Sequence, residues 1–215
     1  MNLFDTILYR PILNILIFIC HLTKGDFGLA IILLTLFIRF LFLPLTFKSQ
    51  KSQKEISDFQ KEIQEIREKY KENKEEQAKA LISFYQKKKF NPFSGFIWVL
   101  IQLPILYALY KVFTQGLQLL EIKPSFLGIF DLSKPNIFFA LFAGISQYFQ
   151  TPFSAQKSSD PMIKFSNLIQ KQMLYFFSLF TFLFLLRFPS ALSLYWIANS
   201  LFSIVFQKIF FKKYV

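Results

Sequence analysis

Cysteine and histidine are almost missing from this chain: Cys20 and His21 are the only examples in 215 residues. A lone Cys20 excludes an internal disulfide, and one imidazole with no cysteine cluster offers no metal-ligand spacing, so neither a metal nor a cofactor is expected. The six glycines build no phosphate-cradling loop, and no Ser/His/Asp arrangement or pair of intramembrane carboxylates is present, which argues against an enzyme. Acidic residues number 13 against 25 basic ones, and none falls inside a long apolar run. There is also no two-fold internal repeat and no pair of interrupted helices, the marks of a secondary transporter.

What is abundant is apolar and aromatic. Hydrophobic residues make up 53% and aromatic ones 20%, with 31 Phe gathered into long runs. Runs of about 20 apolar residues match the ~30 Å hydrocarbon thickness of a bilayer. Being continuous rather than alternating, they imply helices and not a barrel. The expectation is an all-α membrane protein with five transmembrane helices: Phe27 to Phe47, Phe96 to Gly116, Asn136 to Phe153, Gln172 to Arg187 and Ser190 to Phe211. The formal charge of +12 does not point to nucleic acid as substrate, because the basic residues flank the apolar runs as topology signals do. Residues 48–90, the region around Lys157, Lys164 and Lys171, and the end of the chain with Lys208, Lys212 and Lys213 carry the positive charge. Five spans put all three on one side. The positive-inside rule then places the N-terminus outside and the C-terminus in the cytoplasm.

Residues 48–89 read as a cytoplasmic helical hairpin. Ile56, Phe59, Ile63, Ile66 and Tyr70 recur at spacings of three and four, a narrow apolar seam on a helix. After the polar break "KENKEE", Ala78, Leu81 and Tyr85 repeat the pattern, so a second arm can fold back and bury both seams. Such an arm is either a recruitment surface or a solubilised linker. Residues 1–24 contain Asp5 and Arg10, and their clean apolar part, Ile12 to Cys20, is short for a span. Pro11 suits a first helical turn, and Phe4, Leu8, Ile12, Ile15 and Ile19 can share a face, which favours an amphipathic helix on the outer surface. A sixth span or an uncleaved signal anchor is the other reading.

One charge breaks the first span. Arg39 lies nine residues from Lys48, about 13 Å deep along a helix rising 1.5 Å per residue. That is too deep for easy snorkelling, and the spans offer no acid to pair with it. It must face water or a partner. Thr35 shares its stripe, and Gln102, Gln147 and Asn199 are polar groups in other spans, costly if turned to lipid. Each alone reads as interhelical hydrogen-bond glue. Together with Arg39 they favour a hydrated, positively charged cavity open to the cytoplasm. Physical argument leaves two functions: a small-anion channel or transporter, or a device that hydrates the bilayer so that a polypeptide's polar end can cross.

The residues resemble the YidC membrane-protein insertases, whose relatives include the mitochondrial Oxa and chloroplast Albino proteins. The similarity runs from about Phe27 to Phe211 and rests on "TLFIRFLFLPLT", "NPFSGFIWVLIQLPILYALY", "FDLSKPN", "SDPM" and "FPSALSLYWIANS" in that order. The resemblance implies a five-span core, residues 25–47 and 90–215, that inserts newly made membrane proteins and helps them fold. It implies a hydrophilic groove around Arg39, with Thr35, Gln102, Gln147, Tyr195 and Trp196 lining it, and gives the hairpin a role in receiving substrates and partners. Nascent membrane proteins and the lipid bilayer are the implied partners, with the Sec translocon and the ribosome as further candidates, and a bacterial inner membrane is the implied location. The form expected is a short one, without a large extracytoplasmic domain before the core, without a convincing lipoprotein motif at Cys20, and without a long basic C-terminal tail. A small-anion channel or transporter is the alternative function, and a purely structural assembly factor at the translocon comes third.

Overall fold

The computed structural model describes residues 3–48, 51, 59–88, 94–116, 123–150 and 161–214. The described residues are mostly helical, and the chain divides into two compact units, Met1–Leu41 with Pro104–Val215, and Phe42–Leu103.

In the first unit a π-helical turn, Asp5–Tyr9, runs into α1 (Arg10–Leu22). Neither Asp5 nor Arg10 breaks the helix: Arg10 is exposed, and Lys111 Nζ meets the Asp5 carboxylate at 2.6 Å and lies 4.7 Å from the Tyr9 ring. Asp5–Leu22 is therefore longer than the clean apolar run suggests. Among the described residues it is the one helix long and apolar enough to cross a membrane, while Phe27–Leu41 and Ile137–Gln150 are apolar but shorter. The buried face of α1 carries Ile12, Leu16, Ile19 and Cys20. Its end is a Schellman turn. Lys24 and Gly25 take positive φ, Gly25 N–H donates to the Cys20 carbonyl, and Lys24 N–H to that of His21. Asp26 then caps α2 (Phe27–Leu41), accepting from Leu29 N–H at 2.9 Å.

The single span expected from Phe27 to Phe47 is interrupted at Phe42, and residues 43–48 resume as a separate helical segment. Pro44 supplies the reason: it has no N–H to donate one turn back, and its ring crowds that carbonyl. The second predicted span appears as α5 (Ser94–Lys111), prolonged by a π turn, Val112–Gly116. A small antiparallel hairpin follows, β1 (Ser125–Phe126) and β2 (Phe130–Asp131). Asn136 caps α6 (Ile137–Gln150), its Oδ1 accepting from Phe138 N–H. The helix α7 spans Pro161–Leu185, beginning well before the Gln172 expected from hydropathy. A helix does not stop where the apolar run stops, and Pro161 suits its first turn. The last helix, α8, runs Ser190–Tyr214.

Packing does not follow chain order. The C-terminal α8 lies between α2 and α6, α7 packs on the other side of α6, and α1 on α2. The small residues of α6 allow this closeness. Ala140 and Ala143 are fully buried, and a Cβ on Gly144 would come within 3.0 Å of Phe182 Cβ and the Ser178 carbonyl. The β hairpin ties the ends of two helices. Carbonyls of Lys134 and Leu132 accept the N–H groups of Ser190 and Ala191, which the first turn of α8 cannot satisfy by itself. Asp26 Oδ2 accepts from Leu127 N–H at 2.7 Å. Phe126 covers Gly28 so tightly that a Cβ there would lie 2.2 Å from its ring.

The second unit contains the helical hairpin, α3 (Gln60–Lys69) and α4 (Lys74–Lys87). Asn73 caps the second arm through Glu75 and Glu76 N–H. Ile63 is buried, and Phe59, Ile66 and Tyr70 are half-buried, while Ile56 lies outside the described residues. Phe59 meets Phe84 edge to face at 5.7 Å, Lys88 bonds Glu62 at 2.9 Å, and Gln77 Nε2 donates to the Arg67 carbonyl. Of the expected seam of α4, Leu81 and Tyr85 are half-buried and Ala78 is exposed, while Gln77, Ala80 and Phe84 are half-buried beside them. The covered face is thus wider than expected and includes the Phe84 ring that meets Phe59 of the facing arm.

Candidate functional site

Helix α2 sets Thr35 and Arg39 one turn apart, and both are buried, at 1% and 2% exposure. Thr35 is satisfied within its own helix, Oγ1 donating to the Ile31 carbonyl at 2.7 Å. Arg39 reaches across to α8. Its Nε donates to Asn199 Oδ1 at 2.6 Å and its Nη2 to the Asn199 carbonyl at 3.4 Å, while the guanidinium carbon lies 5.8 Å from the Phe202 ring centroid. The requirement that Arg39 face water or a partner is thus met by an amide. A guanidinium taken out of water is tolerable only when hydrogen-bonded. Asn199, 8% exposed, supplies two acceptors from one residue.

A polar seam extends from that contact along the α6/α8 interface. Trp196 Nε1 donates to Gln147 Oε1 at 2.9 Å. Ser200 Oγ donates to Gln150 Oε1 at 2.7 Å, Gln150 Nε2 lies 3.4 Å from Ser203 Oγ, and Gln207 Nε2 donates to the Gln150 carbonyl at 3.0 Å. Ser203 Oγ in turn donates to the Asn199 carbonyl at 3.0 Å, joining the seam to the Arg39 contact. Tyr195 is 2% exposed beside them in sequence. Of the residues anticipated for the groove, the structure therefore joins Gln147 to Trp196 directly, and joins Arg39 to α8 through Asn199. Gln102 is half-buried on α5 and belongs to the unit Phe42–Leu103.

Asn199 was visible as a polar group in a span but not as the partner of Arg39, and Gln150, Ser200, Ser203 and Gln207 were missed. A signal for them exists. On α8, Trp196, Asn199, Ser200, Ser203 and Gln207 fall within a sector of about 100° at 3.6 residues per turn. Read as a stripe rather than as separate polar residues, they mark the face turned to α2 and α6. Among the described residues no group of three His, Cys, Asp or Glu could hold a metal ion. The seam's groups are one guanidinium with amides, hydroxyls and an indole. They can attract a negative group and exchange hydrogen bonds with a polar chain.

The family model described as 60Kd inner membrane protein matches residues 18–215. Among curated relatives, the membrane protein insertase YidC of Geobacter sulfurreducens is 36% identical over 202 residues, covering 93% of this chain and 36% of that protein. The protein of the same name from Francisella tularensis subsp. novicida is 37% identical over 196 residues, 90% of this chain and 34% of the relative. The chain thus spans about a third of the length of these relatives. A crystal structure of an active YidC insertase with its first transmembrane domain resolved aligns with a TM-score of 0.67 at 28% identity, covering 96% of this chain and 46% of that one. A helical core carrying "TLFIRFLFLPLT" with Arg39 in α2, matched by the family model over all but the first 17 residues, places the chain in the 60Kd inner membrane protein family, that of the YidC insertases.

Proposed function

We propose that this chain is a membrane protein insertase, taking newly made membrane proteins from the cytoplasm into the bilayer, with the Arg39 seam as the place where a substrate's polar segment is received. The observation that carries this is the Arg39–Asn199 contact: a cation buried between α2 and α8 and held by a neutral amide. An amide is a weaker partner for a guanidinium than a carboxylate, because it offers only a dipole where the carboxylate adds the attraction of a full opposite charge. An acidic or strongly polar substrate segment can therefore displace Asn199, while the substrate's apolar helix partitions sideways into lipid at roughly 25 cal/mol per Å² buried. No nucleotide enters this scheme. The seam's continuation from Asn199 to Gln207 gives the segment successive hydrogen-bond partners.

In this reading five spans surround the groove, with the N-terminus outside and the C-terminus in the cytoplasm as the basic residues direct. Residues 1–24 lie on the outer surface, and Tyr195 joins Thr35, Gln147 and Trp196 along the groove. The hairpin seam, from Ile56 to Tyr70, orders an arm that receives substrates or partners, with the Sec translocon and the ribosome as candidates. The names of the relatives support the insertase activity.

The test is an insertion assay in vesicles with two single-span substrates that differ only in acidic residues of the tail. Arg39→Lys keeps the charge but loses the planar fork, and retains most activity. Arg39→Ala loses most of it for the acidic tail and less for the uncharged one. Equal activity of all three proteins on both substrates would refute the charge-attraction scheme. Ion flux through the vesicles that changes with Arg39, with no dependence on substrate tail, would instead favour a small-anion channel.

A further inference from the structure

A second feature of α8 lies on the face away from the seam. Leu194, Ile197, Leu201, Ile204 and Lys208 fall within a sector of about 80° centred opposite Asn199. With α6 they wall a groove of about 860 Å³, within the ~300–1,000 Å³ range of small-ligand sites. Phe142, Ile145 and Phe149 of α6 form the other wall, and Phe130, Phe138 and Phe139 close the far end. Every wall residue except Ser146 and Lys208 is apolar, and the hydroxyl of Ser146 is engaged with the Ala143 carbonyl at 2.8 Å. Lys208 is exposed at one end, and no carboxylate among the described residues pairs with it.

We propose that this groove holds an acyl chain of an anionic phospholipid whose phosphate is bound by Lys208. The inference needs α6 and α8 to lie in a bilayer but does not depend on the insertase reading. Three observations favour it over a partner helix. Among the described residues that line it, Lys208 is the one cation and stands at one end of an otherwise apolar trough, the charge layout of a headgroup and its tail. The trough, measured from Phe138 to Phe149 along α6, is about 16 Å long, close to one leaflet's share, about 15 Å, of the hydrocarbon core. Transmembrane helices associate through small residues, and those of α6 (Ala140, Ala143, Gly144) are already buried inside the unit, leaving bulky Phe, Ile and Leu on the groove. Such walls fit a flexible chain better than a rigid helix.

The test places the full chain in vesicles with a phosphatidylglycerol carrying a photoactivatable group midway along its tail, or a phosphatidylcholine with the same tails. Crosslinks are mapped by peptide mass spectrometry. Phosphatidylglycerol should label Ile145, Leu201 and Ile204 about fivefold more than phosphatidylcholine, the worth of one lysine near an anionic headgroup. Exposed Phe176 and Phe180 of α7 should be labelled equally by both. Lys208→Gln, at an exposed position, should bring the two lipids level at the groove, and Ile145→Trp, which fills it, should lower labelling of Leu201 and Ile204 by either. Headgroup-independent labelling, or a preference that survives Lys208→Gln, would reduce the groove to ordinary boundary lipid and overturn the proposal. A groove left unlabelled while α7 is labelled would mean that protein covers it, with the same consequence.

Discussion

Replacing Asn199 by Asp should make the protein more stable and a poorer acceptor of acidic substrates. The side chains are nearly isosteric, and Oδ1 already stands 2.6 Å from Arg39 Nε with both residues buried. The change converts an amide acceptor into a carboxylate in a geometry that needs no rearrangement. A hydrogen bond to a charged group contributes about 1.5–3 kcal/mol, which the amide already supplies, and the carboxylate adds the attraction of opposite charges. Desolvation of the new carboxylate offsets part of that. A net gain of about 1 kcal/mol corresponds to roughly 2–4 °C in Tm for a chain of this size. The same 1 kcal/mol opposes an incoming carboxylate and lowers its occupancy about fivefold, since 1.4 kcal/mol is tenfold. Asn199→Leu moves the other way, lowering stability by about 1.5–3 kcal/mol by removing the acceptor. The assays are thermal unfolding in detergent and vesicle insertion of the acidic-tail and uncharged-tail substrates. If Asn199→Asp gains stability yet inserts the acidic substrate as well as the wild type, Arg39 does not act by exchanging Asn199 for substrate. If it loses stability, the pair is not packed as described.

Three other outcomes follow from the packing. Gly28→Ala should destabilise the first unit by about 1–3 kcal/mol, read as a fall in Tm, because the added methyl meets the Cβ as well as the ring of Phe126, at 2.6 and 2.2 Å; an unchanged Tm would mean that the β1 turn is not seated on α2. Ile63→Asp should unpair the hairpin, exposing a side chain whose burial contributes about 1.5–3 kcal/mol, whereas Ile82→Asp at an exposed position of the second arm should not. Hydrogen exchange over residues 59–88 separates the two, and equal protection in both variants would remove the seam's structural role. Cysteines placed at Lys74 and Ser158 should react only with reagent on the cytoplasmic side and one at Ser125 only from outside, with labelling of Ser125 from the cytoplasm reversing the topology.

Local interactions carry a local signal, although the apolar pattern by itself names none of the turns and caps. The Schellman turn at "TKGD" and the caps at Asp26, Asn73 and Asn136 depend on residues within a few positions of one another, and hydropathy located the apolar helices because burial or lipid contact is needed along their length. Helix ends were less legible. Pro44 overrode an apolar run that continued past it, and α7 began at Pro161, ahead of the apolar run, because helix formation does not depend on hydropathy alone. The hairpin's existence was legible, and so were Leu81 and Tyr85 on its second seam, but the burial of Phe84 in place of Ala78 was not, since only the facing arm decides how far that face is covered.

The sequence by itself determined that Arg39 needed a polar partner, because a guanidinium in an apolar run is costly wherever the helix packs. It could not determine which partner, as Asn199 is 160 residues away and Gln102 and Gln147 were equally polar candidates. Only the tertiary structure decided that α8, last in the chain, sits between α2 and α6, and so turned the stripe from Trp196 to Gln207 inward and left Leu201 and Lys208 of the other stripe exposed. The periodicity of α8 contains both faces, but a helix's own residues do not say which neighbour each will meet. That follows from the order in which nonadjacent helices pack, a property of the whole chain.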